Sequence, residues 1–176
     1  MLVEMTNDLQ RLLDRQAIQD ALIRYCRGVD RADPKLLASA YHSDAVDEHG
    51  AQTFAGDGIG PGIIEMTRTM RVTLHCISNT TIEFHAPDEA GCECYFSTWQ
   101  TMQIDGRERI LSGLGRYLDR FERRDGQWRI AHRLVVVDLA TLLPESNFMP
   151  SRPDLGHRGP DDPSFALLRD RRSLIG

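Results

Sequence analysis

From Asn7 to Gly28 apolar residues recur at near-helical spacing, at Leu9, Leu13, Ile18, Leu22 and Tyr25, and run on to Val29. The pattern predicts a long first helix, with Thr6 or Asn7 as N-cap and Gly28 at its end. Asp33-Pro34 then combines a capping carboxylate with a first-turn proline, which predicts a second, short helix through KLLASAY. The segment from Asp44 to Phe54 alternates weakly and runs into Gly56, Gly58, Gly60 and Gly62, read as a flexible turn. Ile64, Met66 and Met70 suggest a third short helix over Ile63–Met70. Beyond it the period changes to two. Strands are predicted over Val72–His85, Gly91–Met102, Arg109–Arg123 and Trp128–Leu142. The turn signals between them are Ala86-Pro87-Asp88, Asp105-Gly106 and Asp125-Gly126, the last two being strong hairpin dipeptides. Strands so much longer than the usual roughly five or six residues stay compact only if twisted or bulged, and Gly113 and Gly115 permit a bend.

These elements predict an α+β fold in which N-terminal helices cover a curved, mostly antiparallel sheet whose hollow holds a small-molecule site. A chain of 176 residues suits one core, assigned to residues 1–143. Residues 144–176 hold five of the eight prolines and little periodicity, so no secondary structure is assigned there. The apolar residues Phe165, Leu167, Leu168, Leu174 and Ile175 suggest that this extension docks on its own body or on a neighbouring subunit.

A net charge of −5 repels polyanions and disfavours nucleic-acid binding, and Arg169, Arg171 and Arg172 are read as part of a solvated tail with Asp161, Asp162 and Asp170 beside them. No apolar run reaches the roughly 20 residues of a membrane span, and MLVEMTNDLQ is unlike a secretory leader. A cytoplasmic protein without membrane contact is expected. The four cysteines form no metal-type pair and read as small core hydrophobes. The glycines lack the G-x-G-x-x-G spacing, so no dinucleotide cofactor is expected.

Strand alternation sends His75, Ile77 and Asn79 to one face and Cys76, Ser78 and Thr80 to the other. On spacing alone His75 is either a hydrogen-bonded core histidine or a general base. Asp30 either caps local amides or turns inward to an imidazole. Tyr25 lies about 140° from it on an ideal helix, so a break at Gly28 is needed to bring the two together. In YHSDAVDEHG, extended geometry turns His42 and Asp44 away from Asp47 and His49, and no zinc spacing fits, so no metal is expected. No Ser-His-Asp elbow, P-loop or H-E-x-x-H occurs.

The segments DRQAIQDALIRYCRGVDRADPKLLASAYHSDAVDEHG, LHCISNTTIEF and GRYLDRFERRDGQWRIAHR resemble, in order and spacing, the SnoaL-like branch of the nuclear transport factor 2-like superfamily. The resemblance covers most of residues 10 to 140. It implies a cone-shaped α+β barrel with a pocket at one end, in a superfamily that includes scytalone dehydratase, bile acid 7α-dehydratase, hexachlorocyclohexane dehydrochlorinase, ketosteroid isomerase and polyketide cyclases. In the eliminating members an aspartate late in the first helical region pairs with a histidine on the strand after the third helix; Asp30 and His75 stand at those positions. Tyr25 matches a tyrosine of bile acid dehydratase, Arg133 resembles a last-strand arginine of the dehydrochlorinase, and Tyr41 is the one tyrosine matched to scytalone dehydratase. The resemblance thus implies a cofactor-independent lyase of dehydratase type acting on a small hydrophobic β-hydroxy carbonyl compound, steroid- or polyketide-like. Tyr25, Asp30 and His75 would be catalytic, with Arg133 and Tyr41 binding substrate. A double-bond isomerase or cyclase, and a non-catalytic binding protein or dioxygenase-small-subunit-like assembly protein, are the alternatives. A homo-oligomer, trimer before dimer, is implied as well.

Overall fold

The computed structural model describes residues 2–143 and 156–169; side chains are described from Asn7 onward, apart from those of residues 166, 167 and 169. Helix α1 (Leu2–Asp30) and the short α2 (Pro34–Ala38) precede strands β1 (Tyr41–His49) and β2 (Gln52–Ala55). A 3-10 turn (Gly56–Gly58) leads into α3 (Ile59–Met66). Four long strands follow: β3 (Thr73–Ala86), β4 (Glu89–Ile104), β5 (Arg107–Arg124) and β6 (Gln127–Leu142). Among the described residues of the extension, α4 (Pro163–Arg169) is the one helix. Leu174, Ile175, Asp170, Arg171 and Arg172 lie outside the described residues.

The six strands form one sheet in the order β2-β1-β6-β5-β4-β3, with β1 and β6 parallel and every other neighbour antiparallel. Both Asp-Gly pairs turn hairpins as expected, with positive φ at Asp105, Gly106, Asp125 and Gly126. Register shifts at Leu114/Gly115 and Arg120/Phe121 interrupt the β5–β6 ladder, the kind of irregularity that bends a long strand. The α+β architecture, a sheet under N-terminal helices, is the one expected from the sequence.

Helix α1 buries Ile18, Ala21, Leu22, Tyr25, Cys26 and Val29 in one cluster with Phe96, Tyr117, Phe121 and Ile130 of the sheet. Leu9 and Leu13, expected on the buried face, are more than half exposed, because packing begins only further along the helix. Neither Thr6 nor Asn7 starts the helix, which already runs from Leu2 through a stretch free of Gly and Pro. Nor does Gly28 end it. A Cβ at Gly28 would lie 2.6 to 2.7 Å from the backbone and side chain of Leu37, so this glycine admits α2 against α1 and the helix continues to Asp30.

The second helix begins as read, with Asp33 accepting from the backbone N–H of Lys35 and Leu36. The third begins four residues earlier than expected and ends at Met66, where the Thr67 hydroxyl donates back to the Ile63 carbonyl. The glycine-rich stretch is therefore largely structured: Gly60 and Gly62 belong to α3, and a Cβ on Gly60 would collide with the Pro34 carbonyl. Cys26, Cys92 and Cys94 are core residues; Cys76 is exposed, since its parity on β3 points it outward.

The outer face of the sheet carries exposed Tyr95, Trp99, Leu114, Leu134 and Leu139, while exposed Val137 shares the inward parity of Val135. No described helix is long and apolar enough to cross a membrane.

Substituting Gly28→Ala forces α1 and α2 apart and is expected to destabilise the fold by about 1–3 kcal/mol, the usual scale of overpacking. Urea unfolding monitored by the tryptophans reads this as a lower midpoint; an unchanged midpoint would mean that the helices separate freely.

Candidate active site

Asp30, the last residue of α1, meets His75 on the edge strand β3. One carboxylate oxygen lies 2.6 Å from His75 Nδ1 and the other accepts the His75 backbone N–H at 3.0 Å. The two-point contact fixes both strand and ring against the helix end. Both side chains are largely withdrawn from solvent, with 5% of His75 and 12% of Asp30 exposed. They line a cavity of about 300 Å³ whose remaining walls are Ile23, Cys26, Arg27, Arg31 and Ile77.

The predicted alternation of β3 holds for His75 and Ile77 but fails at Asn79. Asn79 has a φ of 46° at the register shift between Ser78 and Thr81, so the pattern inverts and Thr80, not Asn79, turns toward the core to meet Cys94. No helix break joins Tyr25 to Asp30, because α1 is continuous. Tyr25 points into the molecule, while Asp30 reaches β3 from the helix terminus.

Tyr25 is fully buried, and its ring meets those of His75, Tyr41 and Tyr117 edge-on at 6.3, 6.0 and 5.4 Å. Burial pushes its phenol well above the ordinary value, with Asp47 adding to the rise and Arg133 opposing it. Its hydroxyl makes no well-formed hydrogen bond among the described residues, although the Arg133 guanidinium is close enough to act on it. Arg133 is fully buried between two rings, its guanidinium carbon 4.1 Å from the centroids of both Tyr25 and Tyr117. It grips Asp119 with two hydrogen bonds of 2.7 Å, yet Nη1 has no partner among the described residues. Burial raises the Asp119 carboxyl, with the facing guanidinium opposing the shift.

Tyr41 donates to Asp47 at 2.5 Å, and the other Asp47 oxygen lies 3.3 Å from His49 Nδ1. His42 turns instead to the Glu122 carbonyl, and no metal-binding group forms among the described residues. The structure thus joins Asp30 to His75 at the cavity and joins Tyr25 to Arg133 and Tyr41 in an adjoining polar and aromatic cluster. Tyr25, Arg133 and Tyr41 do not line the 300 Å³ cavity itself.

Asp119 was absent from the expected site. Its signal was available: it shares the inward parity of Tyr117 and Phe121, and an acidic residue in that register needs a buried partner. The register supplies Arg133 directly opposite.

A cone-shaped α+β fold carrying a buried carboxylate–imidazole pair beside a cavity defines the class. The SnoaL-like domain profile matches residues 10–134, and the chain belongs to that family. Hexachlorocyclohexane dehydrochlorinase 1 of Sphingobium indicum is 27% identical over 150 residues, covering 82% of this chain and 94% of the relative. The crystal structure of a type 2 hexachlorocyclohexane dehydrochlorinase superposes with a TM-score of 0.74 at 26% identity, over 84% of this chain and 99% of that one. A candidate scytalone dehydratase from Novosphingobium aromaticivorans superposes at 0.65 and 22% identity, over 80% and 94%, which speaks to the fold alone.

Replacing Asp119 by Ala leaves the Arg133 charge buried without its counter-ion and is expected to cost about 3–5 kcal/mol. The paired variant Asp119→Leu with Arg133→Met is expected to recover most of that loss. Thermal unfolding of the three proteins compares them; a single variant as stable as the parent would show that the pair carries no buried charge.

Proposed function

We propose that the protein is a cofactor-independent lyase of dehydratase type in which His75 is the general acid/base and Asp30 its orienting partner. The observation that carries this reading is the two-point Asp30–His75 contact at the wall of the cavity. Asp30 accepts the Nδ1 proton, which leaves Nε2 unprotonated and free to act on substrate, and stabilises the imidazolium that forms. Nε2 removes the proton beside a carbonyl. The C–H pair becomes the new double bond, the β-hydroxyl departs with the C–O pair, and the imidazolium returns the proton to it as water.

Tyr25 fits the role of donor to the carbonyl or enolate oxygen. Burial keeps its proton on the phenol, so it can donate but not act as a base near neutral pH. Its hydroxyl and Arg133 Nη1 are both buried without a well-formed hydrogen bond, so a substrate oxygen that reached this cluster would meet two donors. Arg133 and Tyr41 stand behind the cavity wall, so their part in binding requires the polar end of the substrate to reach past His75 into their cluster, while the apolar walls Ile23 and Ile77 suit a small hydrophobic compound.

The similarity to dehydrochlorinases supports elimination as the reaction class and favours a second reading, loss of halide from a halogenated ring, for which the same base serves. Isomerisation in the same cavity needs proton return to carbon rather than loss of water. The proposal extends to a cytoplasmic homo-oligomer, trimer before dimer, with the apolar outer sheet face as the contact; a light-scattering mass decides its size.

A panel of β-hydroxy carbonyl compounds and halogenated cycloalkanes, assayed for water or halide loss, identifies the leaving group. On an active substrate, His75→Ala and Asp30→Asn are each expected to lower kcat by about 10² to 10⁴. Unchanged turnover by a folded His75→Ala protein would rule out this mechanism. Exchange of substrate hydrogen with D₂O, with no loss of water or halide, would transfer the assignment to isomerisation.

A further inference from the structure

Arg158 lies in the C-terminal extension, beyond the residues matched by the family profile. Its guanidinium nonetheless reaches the end of α1. Nη2 donates to the Val29 carbonyl at 3.1 Å and to the Thr67 hydroxyl at 2.6 Å, while Nη1 donates to the Thr67 carbonyl at 3.1 Å. Val29 immediately precedes Asp30, and Thr67 closes α3, so one side chain ties two helix ends together.

The electrostatics favour a cation at this point. Asp30 is a carboxylate at a helix C-terminus, where the free carbonyls already concentrate negative charge. A positive group there offsets both the carbonyls and the carboxylate. Arg31 is paired with Asp162, and Arg71 with Glu108, so their charges are already engaged. The hydrogen bonds described for Arg158 go only to neutral groups. Burial lowers the Arg158 guanidinium from its ordinary value, and the nearby Asp30 carboxylate opposes that shift. Both residues line a second cavity, of about 140 Å³, which shares Asp30 and Arg31 with the one that holds His75.

Arg158 is itself held from the tail side. Asp162 accepts the His157 backbone N–H at 3.2 Å and the Ser164 backbone N–H at 3.0 Å, closing the 157–164 turn, and pairs with Arg31 at 3.4 Å. Arg27 of α1 donates to Ser164 at 3.2 Å. The turn is thereby anchored on the last turn of the helix that ends in Asp30.

We propose that Arg158 is a positioning residue for the Asp30–His75 pair: it clamps the peptide that precedes Asp30 and so fixes where the carboxylate meets the imidazole. This rests on the reading of that pair as the acid/base unit, but its first test does not need a substrate. In ¹⁵N-histidine-labelled full-length protein, the His75 Nδ1 proton shared with Asp30 gives a low-field NMR signal, assigned by its loss in Asp30→Asn. Arg158→Gln is expected to shift or abolish that signal, and Arg158→Lys, which keeps the charge but not the fork, to restore part of it. On an active substrate, Arg158→Gln lowers kcat about tenfold, the scale of one charge-assisted hydrogen bond, with little change in KM. A His75 signal identical to the parent's in a folded Arg158→Gln protein, even one with a lowered Tm, would overturn the proposal and reduce Arg158 to a tail anchor. A shifted signal in a protein that eliminates nothing from any substrate would sustain this proposal and defeat the lyase reading.

Discussion

Arg133 carries a full charge where no water reaches it, and the helical layer is arranged around that fact. Removing a guanidinium from water costs several kcal/mol unless counter-charge and hydrogen bonds surround it. Asp119, directly across the β5–β6 ladder, supplies a two-pronged carboxylate, and the faces of Tyr25 and Tyr117 supply the rest. These partners come from different elements. Tyr117 and Asp119 belong to β5 and Arg133 to β6, but Tyr25 belongs to α1, so satisfying the arginine also sets how α1 lies on the sheet. Asp30 is five residues further along the same rigid helix, about 7.5 Å in rise. Where it ends, and so where His75 is met, follows from how the buried cation is packed.

The Asp30–His75 pair lies at a margin of the sheet rather than in its centre. β3 is an edge strand, and Asp30 stands at the end of a helix. A margin lets a substrate approach, but it leaves the carboxylate at the wrong pole of the helix. The His75 backbone N–H, the imidazole and the nearby arginines offset that cost. Rigid burial of one charged pair thus positions a second at the sheet edge, beside a cavity.

Much of this was legible in the residues. Asp33-Pro34 marks a helix start and the two Asp-Gly pairs mark hairpins, because each depends on local backbone preference alone. Gly28 was misread for the opposite reason. Its lack of a Cβ serves contact with Leu37, a partner that spacing cannot reveal. Asn79 failed likewise, since one residue in the left-handed region inverts the parity of everything beyond it. Resemblance named Asp30 and His75; what brings them together is the continuation of α1 past Gly28, which the sequence reading had ended too soon. Asp119 carried a usable signal, an acid at inward parity, but its meaning depended on a register visible only in three dimensions.

The extension repeats the lesson. Asp162-Pro163 is the same dipeptide type as Asp33-Pro34, and it too opens a helix, with Asp162 accepting the Ser164 backbone N–H. Among prolines and glycines the signal stands alone, with no apolar period after it to support a helix. Yet α4 needs little period of its own, because its start is tied to α1 through Arg27, Arg31 and Asp162. Those arginines also wall the cavity beside His75. Body and extension therefore both shape the cavity: α1 and β3 present the carboxylate and imidazole, while Ser164 and Asp162 hold Arg27 and Arg31 of its wall. A change in the extension can reshape the cavity wall while leaving the direct Asp30–His75 contact in place.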